Sequence, residues 1–549
     1  MLRPLTISFT LLFLVSLSAD AQVTADRLRH ASDEPENWLT YSGSYSSIRH
    51  SLLDQISPSN VEDLKLAWVF QARSLENFTA TPLVVDGIMY VTQAPNDVVA
   101  LDAKTGRVFW VYNYTPSADA RPCCGRVNRG VAILGDTLFM ATLDAQLIAI
   151  DAVTGRPIWK TAVGDAGQGY AMTLAPLVVG DKVIVGVAGG EYGIRGYIAA
   201  YDAASGSEVW RFYTIPGPGE PGHETWEGDS WKYGGAPVWL TGSYDPDLNL
   251  TYWGIGNPGP DWNPEQRPGD NLYSDSVVAL DADTGELRWY FQFTPNDDYD
   301  FDAVQIPVLV DLDTADGGVL KVMLWANRNG FFYALDRATG RFLNGRPFVT
   351  VNWAEGLDDS GRPVETPQPL GAVTFPGVQG GTNWYSPSYS PNTGLFYLSA
   401  WENYGSVFMP SPEANEYRPG QLFLGGYPVS PIQGAEPPGA LGRGHINRST
   451  EVLGTGAVIA LDPRTGERRW KFEMTDVTTS GILTTASDVL FTGGREGYFY
   501  AFDARDGELL WKATLGGVVH NGPISYQVDD DQFVGVAAGN SLFAFTLGE

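Results

Sequence analysis

Seven copies of one short unit run through the chain. The first is Ala100-Leu101-Asp102-Ala103-Lys104-Thr105-Gly106 with Trp110, and the second runs from Ala149 to Gly155 with Trp159. Further copies begin at Ala200, Ala279, Ala334, Ala460 and Ala501, and most end in Trp210, Trp289, Trp470 or Trp511. Each unit is an apolar strand, a tight Asp-x-x-Thr-Gly turn and a second strand bearing a large aromatic, which predicts a hairpin. Asp and Thr can hydrogen-bond the turn backbone while Gly accepts a positive φ. Two more strands lie upstream of each unit, as in Thr81 to Val85 and Gly87 to Val91. Four strands repeating every ~40 to 55 residues is the signature of a propeller blade.

The Ala334 copy carries Asn344 where the others carry Trp. The 126-residue gap between Ala334 and Ala460 holds the first strands of one blade near Trp384 to Leu398, then a Pro/Gly-rich insertion over about 405–454. An eighth blade is split between the ends. Val534 to Ala537 and Leu542 to Phe545 lack a following turn and Trp, whereas Leu64 to Val69 is an outer strand without predecessors. The predicted fold is all-β: a single eight-bladed β-propeller over 22–549, with Trp-docking repeats and a ring closed by N- and C-terminal strands. The repeated Asp and Trp residues are assigned to turns and inter-blade packing, not to chemistry.

Hydrophobic residues make up 44% of the chain and aromatics 12%, which supplies a large core and excludes global disorder. Residues 1–21 read as a secretory signal peptide: Arg3, an apolar run from Leu5 to Leu17, and Ala19-Asp20-Ala21 before Gln22. That run is too short for a spanning helix, and no other segment could cross a bilayer. The chain is therefore expected to be exported, without a membrane span. A formal charge of −29 argues against nucleic acid and anionic membrane surfaces and permits a cationic protein partner. Cys123 and Cys124 are the only cysteines, so neither covalent haem attachment through Cys-x-x-Cys-His nor a Cys/His zinc site is indicated. In an oxidising compartment the pair can close a disulfide ring; two free thiols are the alternative.

Function is expected where blades depart from the repeat. The departures are Cys123-Cys124-Gly125-Arg126-Val127-Asn128-Arg129-Gly130, Gly189-Gly190-Glu191, Trp239 with Gly256-Asn257-Pro258, the acidic stretch Asn296-Asp297-Asp298-Tyr299-Asp300-Phe301-Asp302, and Asn327-Arg328-Asn329-Gly330. Four carboxylates in six positions need a compensating cation or a very wet surface.

Together these pieces resemble the pyrroloquinoline quinone (PQQ) dependent alcohol dehydrogenases, over essentially the whole mature chain. The resemblance implies a Cys123–Cys124 disulfide on one face of the quinone and Trp239 on the other. Arg129, Thr173, Gly189, Gly190, Arg328 and Asn383 are then further cofactor contacts, with Arg129 pairing with a cofactor carboxylate. Glu191, Asn257, Asp300 and Asp302 match metal ligands, and Asp300 matches the base that takes the alcohol's hydroxyl proton. An Asp two positions after the catalytic Asp, here Asp302, matches lanthanide-type members, whereas calcium-type members commonly carry a small neutral residue there; a lanthanide is favoured over Ca2+.

Three positions depart from the family pattern: Thr79 stands where Glu is frequent, Pro237 where Thr is frequent, and Asp298-Tyr299 where Glu-Trp is usual. The expected activity is periplasmic oxidation of a small alcohol to an aldehyde, with electrons passed to a separate soluble cytochrome c. A homodimer is a family expectation. Two other readings are a same-fold dehydrogenase of a sugar, polyol or polymeric alcohol, and a non-catalytic propeller scaffold, which would have no need of the cysteine pair, Glu191, Asn257 or Asp300.

Overall fold

The computed structural model describes residues 23–314, 317–411, 416–429 and 454–548. The predicted signal peptide, 1–21, and most of the insertion predicted over about 405–454 lie outside the described residues. Seven four-stranded antiparallel sheets and one five-stranded sheet, whose fifth strand is the short His50–Ser51, make eight blades in succession along the chain. The first blade is Leu83–Val85, Ile88–Gln93, Asp97–Asp102 and Val108–Tyr112, paired in that order. Its innermost strand is fully buried and its outermost is the most exposed, as a radial sheet requires.

The eighth blade closes the ring as the sequence predicted. Lys65–Gln71, near the start, pairs antiparallel with Ser541–Thr546, which continues through Asp531–Ala538 to Ile524–Val528. A further parallel bridge joins His50–Ser51 to the inner strand Leu483–Thr485 of the seventh blade. Both ends are thus tied into the ring, which removes a free sheet edge.

The repeated tryptophans join neighbouring blades by one recurring bond. Nε1 of Trp68, Trp110, Trp159, Trp210, Trp289 and Trp470 donates to the carbonyl of the residue after the turn Asp of the next blade, at 3.0 to 3.2 Å. The six-membered ring of each indole then lies against the turn Gly; Gly155, with φ +71°, lies so close that an added Cβ would sit 2.5 Å from Trp110. Asn344 stands opposite Ala334, where the other blades have Trp, and its Nδ2 donates to Pro463 O at 3.5 Å. Trp511 faces the closing blade, which has no such turn, and packs edge-on against Phe545 at 5.5 Å.

Candidate functional site

Every residue singled out from the sequence lies in one of two kinds of connection. Cys123, Cys124 and Arg129 precede the innermost strand Val131–Leu134, Thr173 precedes Leu177–Val179, and Trp239 precedes Ser243–Asp245. Asp300 and Asp302 precede Val308–Asp313, and Asn383 precedes Ser388–Ser390. Glu191, Asn257 and Arg328 lie between the second and third strands of the third, fourth and fifth blades. In an up-and-down sheet both connections emerge at one end, whereas the Asp-x-x-Thr-Gly turns emerge at the other. The candidate residues therefore share one face of the ring.

The acidic stretch is turned inwards, with Asp297 and Asp302 buried and Asp298 and Asp300 half-buried. Asp297 is 1% exposed, and its two carboxylate oxygens accept the backbone N–H groups of Tyr299 at 2.9 Å and Phe301 at 2.7 Å. These bonds fold the turn that holds Asp300 at φ +60°. Burial pushes Asp297 up to about 7, against the two backbone donors. Arg267, fully buried, donates to the carbonyl of Asp297 and to Asn296 Oδ1 at 3.1 Å.

Arg328 bridges the other two carboxylates of this stretch. Its Nη1 donates to Asp302 Oδ2 at 2.5 Å and its Nη2 to Asp300 Oδ2 at 3.1 Å. Burial works against the Arg328 charge, but Asp300 and Asp302 outweigh it and hold the pKa above its ordinary value. Burial drives the Asp300 pKa well up; Arg328 opposes this and Asp302 adds to it. Asp302 Oδ1 accepts the Asn257 backbone N–H at 3.0 Å, and a side chain on Gly256 would strike that oxygen. Glycine at 256 is thus what lets Asp302 reach Asn257.

Glu191 sits in a tight turn between Gly189, at φ +117°, and Gly193, at φ +63°. Pro237 packs between this turn and the next, since a Cβ on either Gly190 or Gly256 would lie 3.0 Å from its ring. The unusual residue at 237 therefore spaces the Glu191 and Asn257 loops. Cys123 and Cys124 form a disulfide, and their sulfurs lie within 4.8 Å of a Glu191 carboxylate oxygen. Burial pushes Glu191 up to about 7, with Asp302 adding to the rise and Arg328 opposing it. Described residues of the insertion reach the same place: Phe423 N–H donates to Glu191 O at 2.7 Å, and Leu424 O accepts from Trp262 N at 3.0 Å.

A second group centres on Arg129, which is 5% exposed. Its Nη1 donates to Thr173 O at 3.3 Å and to Trp239 O at 3.5 Å, while Thr173 Oγ1 donates to Trp239 O at 3.1 Å. The guanidinium lies 4.9 Å from the Trp239 ring and 5.1 Å from the Trp384 ring, a cation–π arrangement. Asn383 Oδ1 accepts the Trp384 N–H at 2.9 Å. Arg129 Nε has no partner, and burial lowers the Arg129 pKa to about 10. A buried guanidinium that has carbonyl and aromatic neighbours but no carboxylate among the described residues is costly without an anion. Thr79 leaves this group, because its hydroxyl donates to Asn128 O at 3.1 Å.

Two buried carboxylates escaped the sequence reading. Asp261, 3% exposed, neighbours Glu191, Asn257 and Asp302, and its Oδ1 has no partner. Asp275 is wholly buried with neither oxygen partnered, close to Asp297 and Asp302. Burial first, then these acidic neighbours, push both far up. A lone Asp in a Pro/Gly-rich loop carries no local signal of burial. The surplus of buried carboxylates fits a multivalent cation, and the unpaired Arg129 fits a ligand carboxylate beside it.

Residues 38–350 match the family model described as the glucose/ethanol/alcohol dehydrogenase β-propeller domain with PQQ. Residues 454–548 match that of the outer membrane protein assembly factor BamB, a stretch holding none of the candidate site residues. The chain is 37% identical to the quinoprotein alcohol dehydrogenase PedH of Pseudomonas putida, over 96% of this chain and 90% of that protein. It is 38% identical to the lanthanide-dependent methanol dehydrogenase of Methylacidiphilum fumariolicum, over 94% and 86%. The crystal structure of the quinohaemoprotein alcohol dehydrogenase from Comamonas testosteroni superposes with a TM-score of 0.85 at 35% identity, over 96% of this chain and 82% of that one. With family model, relatives and fold in agreement, the chain belongs to the PQQ-dependent alcohol dehydrogenase family.

Proposed function

We propose that this chain is an exported, periplasmic dehydrogenase that oxidises an alcohol to an aldehyde with PQQ and a lanthanide ion. The observation that carries the reading is the convergence of Glu191, Asn257, Asp300 and Asp302 beside the Cys123–Cys124 disulfide. When bound, PQQ supplies the two-electron acceptor and the metal a Lewis acid. The residues of the chain do the rest. Arg129, with its unpartnered Nε, would bind a cofactor carboxylate, and Thr173 fixes the Trp239 backbone beside it. Glu191, Asn257, Asp300 and Asp302 would hold the cation.

Asp300 takes the hydroxyl proton of the substrate. Arg328 holds its Oδ2, which orients the carboxylate, and burial raises its basicity towards that of a useful proton acceptor. The lanthanide assignment rests on charge. Among the described residues, Glu191, Asp261, Asp275, Asp297, Asp300 and Asp302 lie about two guanidinium groups, Arg267 and Arg328, an excess of acid that a trivalent ion would balance better than a divalent one. One relative is itself lanthanide-dependent. Electrons leave to a separate cytochrome c, and a net charge of −29 would steer a basic one.

The test is dye reduction by the metal- and PQQ-free protein, to which PQQ, lanthanum or calcium, and a primary alcohol are added in turn. Alcohol-dependent turnover that requires both PQQ and metal is expected. No turnover in any combination would reject the reading.

A further inference from the structure

We infer that Tyr41 is a positioning residue, which holds the Trp239 and Trp384 rings from within the central channel of the ring. This rests on the reading of Arg129 and Trp239 as cofactor contacts. The innermost strands of a propeller surround a channel, and here residues 36–51 run through it. Trp38 exchanges backbone bonds with Val84 of the first blade at 2.8 and 3.0 Å. Tyr45 Oη donates to Val178 O of the third blade at 2.9 Å, and Tyr45 O accepts the Tyr244 N–H of the fourth at 3.0 Å. Ser46 O accepts from Leu309 of the fifth at 2.8 Å, Ile48 O from Tyr389 of the sixth at 2.9 Å and Arg49 O from Thr484 of the seventh at 3.1 Å, while Glu36 O accepts from Gln527 of the eighth at 3.0 Å. Seven innermost strands thus bond to one short segment, and the closed ring fixes where that segment lies.

Tyr41 lies at the end of the channel that meets the site. It is buried in one apolar cluster with Ala175, Leu240, Val304 and Ile306, and the Trp239 and Trp384 rings pack against that cluster. Each of these four neighbours stands just before an innermost strand, on the side where the candidate residues emerge. The same two indoles flank the Arg129 guanidinium. The Tyr41 backbone is held by Arg49, which is wholly buried: its Nη1 donates to Tyr41 O at 3.0 Å, its Nε to Ile482 O at 3.1 Å and its Nη2 to Pro523 O at 2.6 Å. A close-packed interior leaves little slack, so the fixed Tyr41 ring sets where the two indoles can lie.

The test titrates PQQ into the lanthanum-loaded, PQQ-free protein and reads the dissociation constant from absorbance, together with the induced circular dichroism of the bound quinone. Tyr41→Ala is expected to weaken PQQ about tenfold, short of the ~100-fold that a misplacement of ~1 Å can cost a site, and to change the dichroism. Tyr41→Phe, which keeps the ring, is expected to restore both. Tyr45→Phe, which removes the bond to Val178 O from the same segment, should lower the melting temperature and leave PQQ binding unchanged. In the Trp239→Ala background, Tyr41→Ala should cost less than it does alone, because one of the rings it holds is gone. If Tyr41→Ala does not fold, Tyr41→Leu takes its place with the same expectations. Unchanged PQQ affinity, full additivity with Trp239→Ala, or an equal loss in Tyr45→Phe would overturn the inference and leave the cofactor reading standing. Failure of the wild-type protein to bind PQQ would overturn both.

Discussion

Asp302 Oδ1 accepts the backbone N–H of Asn257 at 3.0 Å, across 45 residues of sequence. The bond joins the loop of the fourth blade to the acidic stretch that follows it, and Arg328 holds the other Asp302 oxygen. One side chain thus adds charge to the proposed metal site and also ties together the two loops proposed to carry its ligands. Removing it by Ala strips a buried N–H of its partner, a cost of about 1–3 kcal/mol, whereas Asn keeps the acceptor and removes only the charge.

Arg129 separates binding from stability. Because it is buried without a carboxylate partner, Arg129→Met should raise the melting temperature of the PQQ-free protein while weakening PQQ at least ~100-fold, as expected when a buried charge loses its role as a carboxylate partner. Thermal unfolding without cofactor and a PQQ absorbance titration measure the two effects. A variant that melts lower and binds PQQ normally would remove Arg129 from the cofactor site.

Asp300→Asn leaves the Arg328 side of the site with an acceptor but removes the proposed base. PQQ absorbance should be retained while kcat falls by about 10²- to 10⁴-fold. Steady-state turnover with saturating dye checks this, and near-normal turnover would take Asp300 out of the proton step.

The Trp-docking bond can be tested on the fold itself. Gly155→Ala places a methyl against Trp110 at a backbone φ of +71°, and should destabilise the protein by about 1–3 kcal/mol. Denaturant midpoints measure this, with PQQ binding unaffected because the turn lies on the opposite face from the site. A neutral substitution would show that the indole is not wedged on the glycine.

The blades were legible in the sequence because most repeat the same local chemistry: an Asp-x-x-Thr-Gly turn, with Ser205 or Asp506 for Thr in two copies, a Trp four residues after the Gly and alternating strands. Asn344 shows how far that reaches, since the missing Trp was visible and the strand register was kept. That the candidate residues gather on one face of the ring was legible through motif context, as with the cysteine pair and Gly-Asn-Pro. Asp261 and Asp275 were not. Their burial is created by loops that meet only after the ring closes, and a single Asp beside Pro or Ser looks like any turn. Pro237 was visible as a departure, but its work as a spacer between Gly190 and Gly256 appears only in three dimensions.

The most direct test of the account compares lanthanum and calcium in the PQQ-reconstituted wild-type protein and in Asp302→Asn, with dye-linked alcohol oxidation as the readout. Wild type should favour lanthanum by at least ~10-fold, and Asp302→Asn should lose that preference while keeping its fold, because the Asn257 N–H still has an acceptor. A wild-type protein that works better with calcium, or an Asp302→Asn variant that keeps the full lanthanum preference, would contradict it.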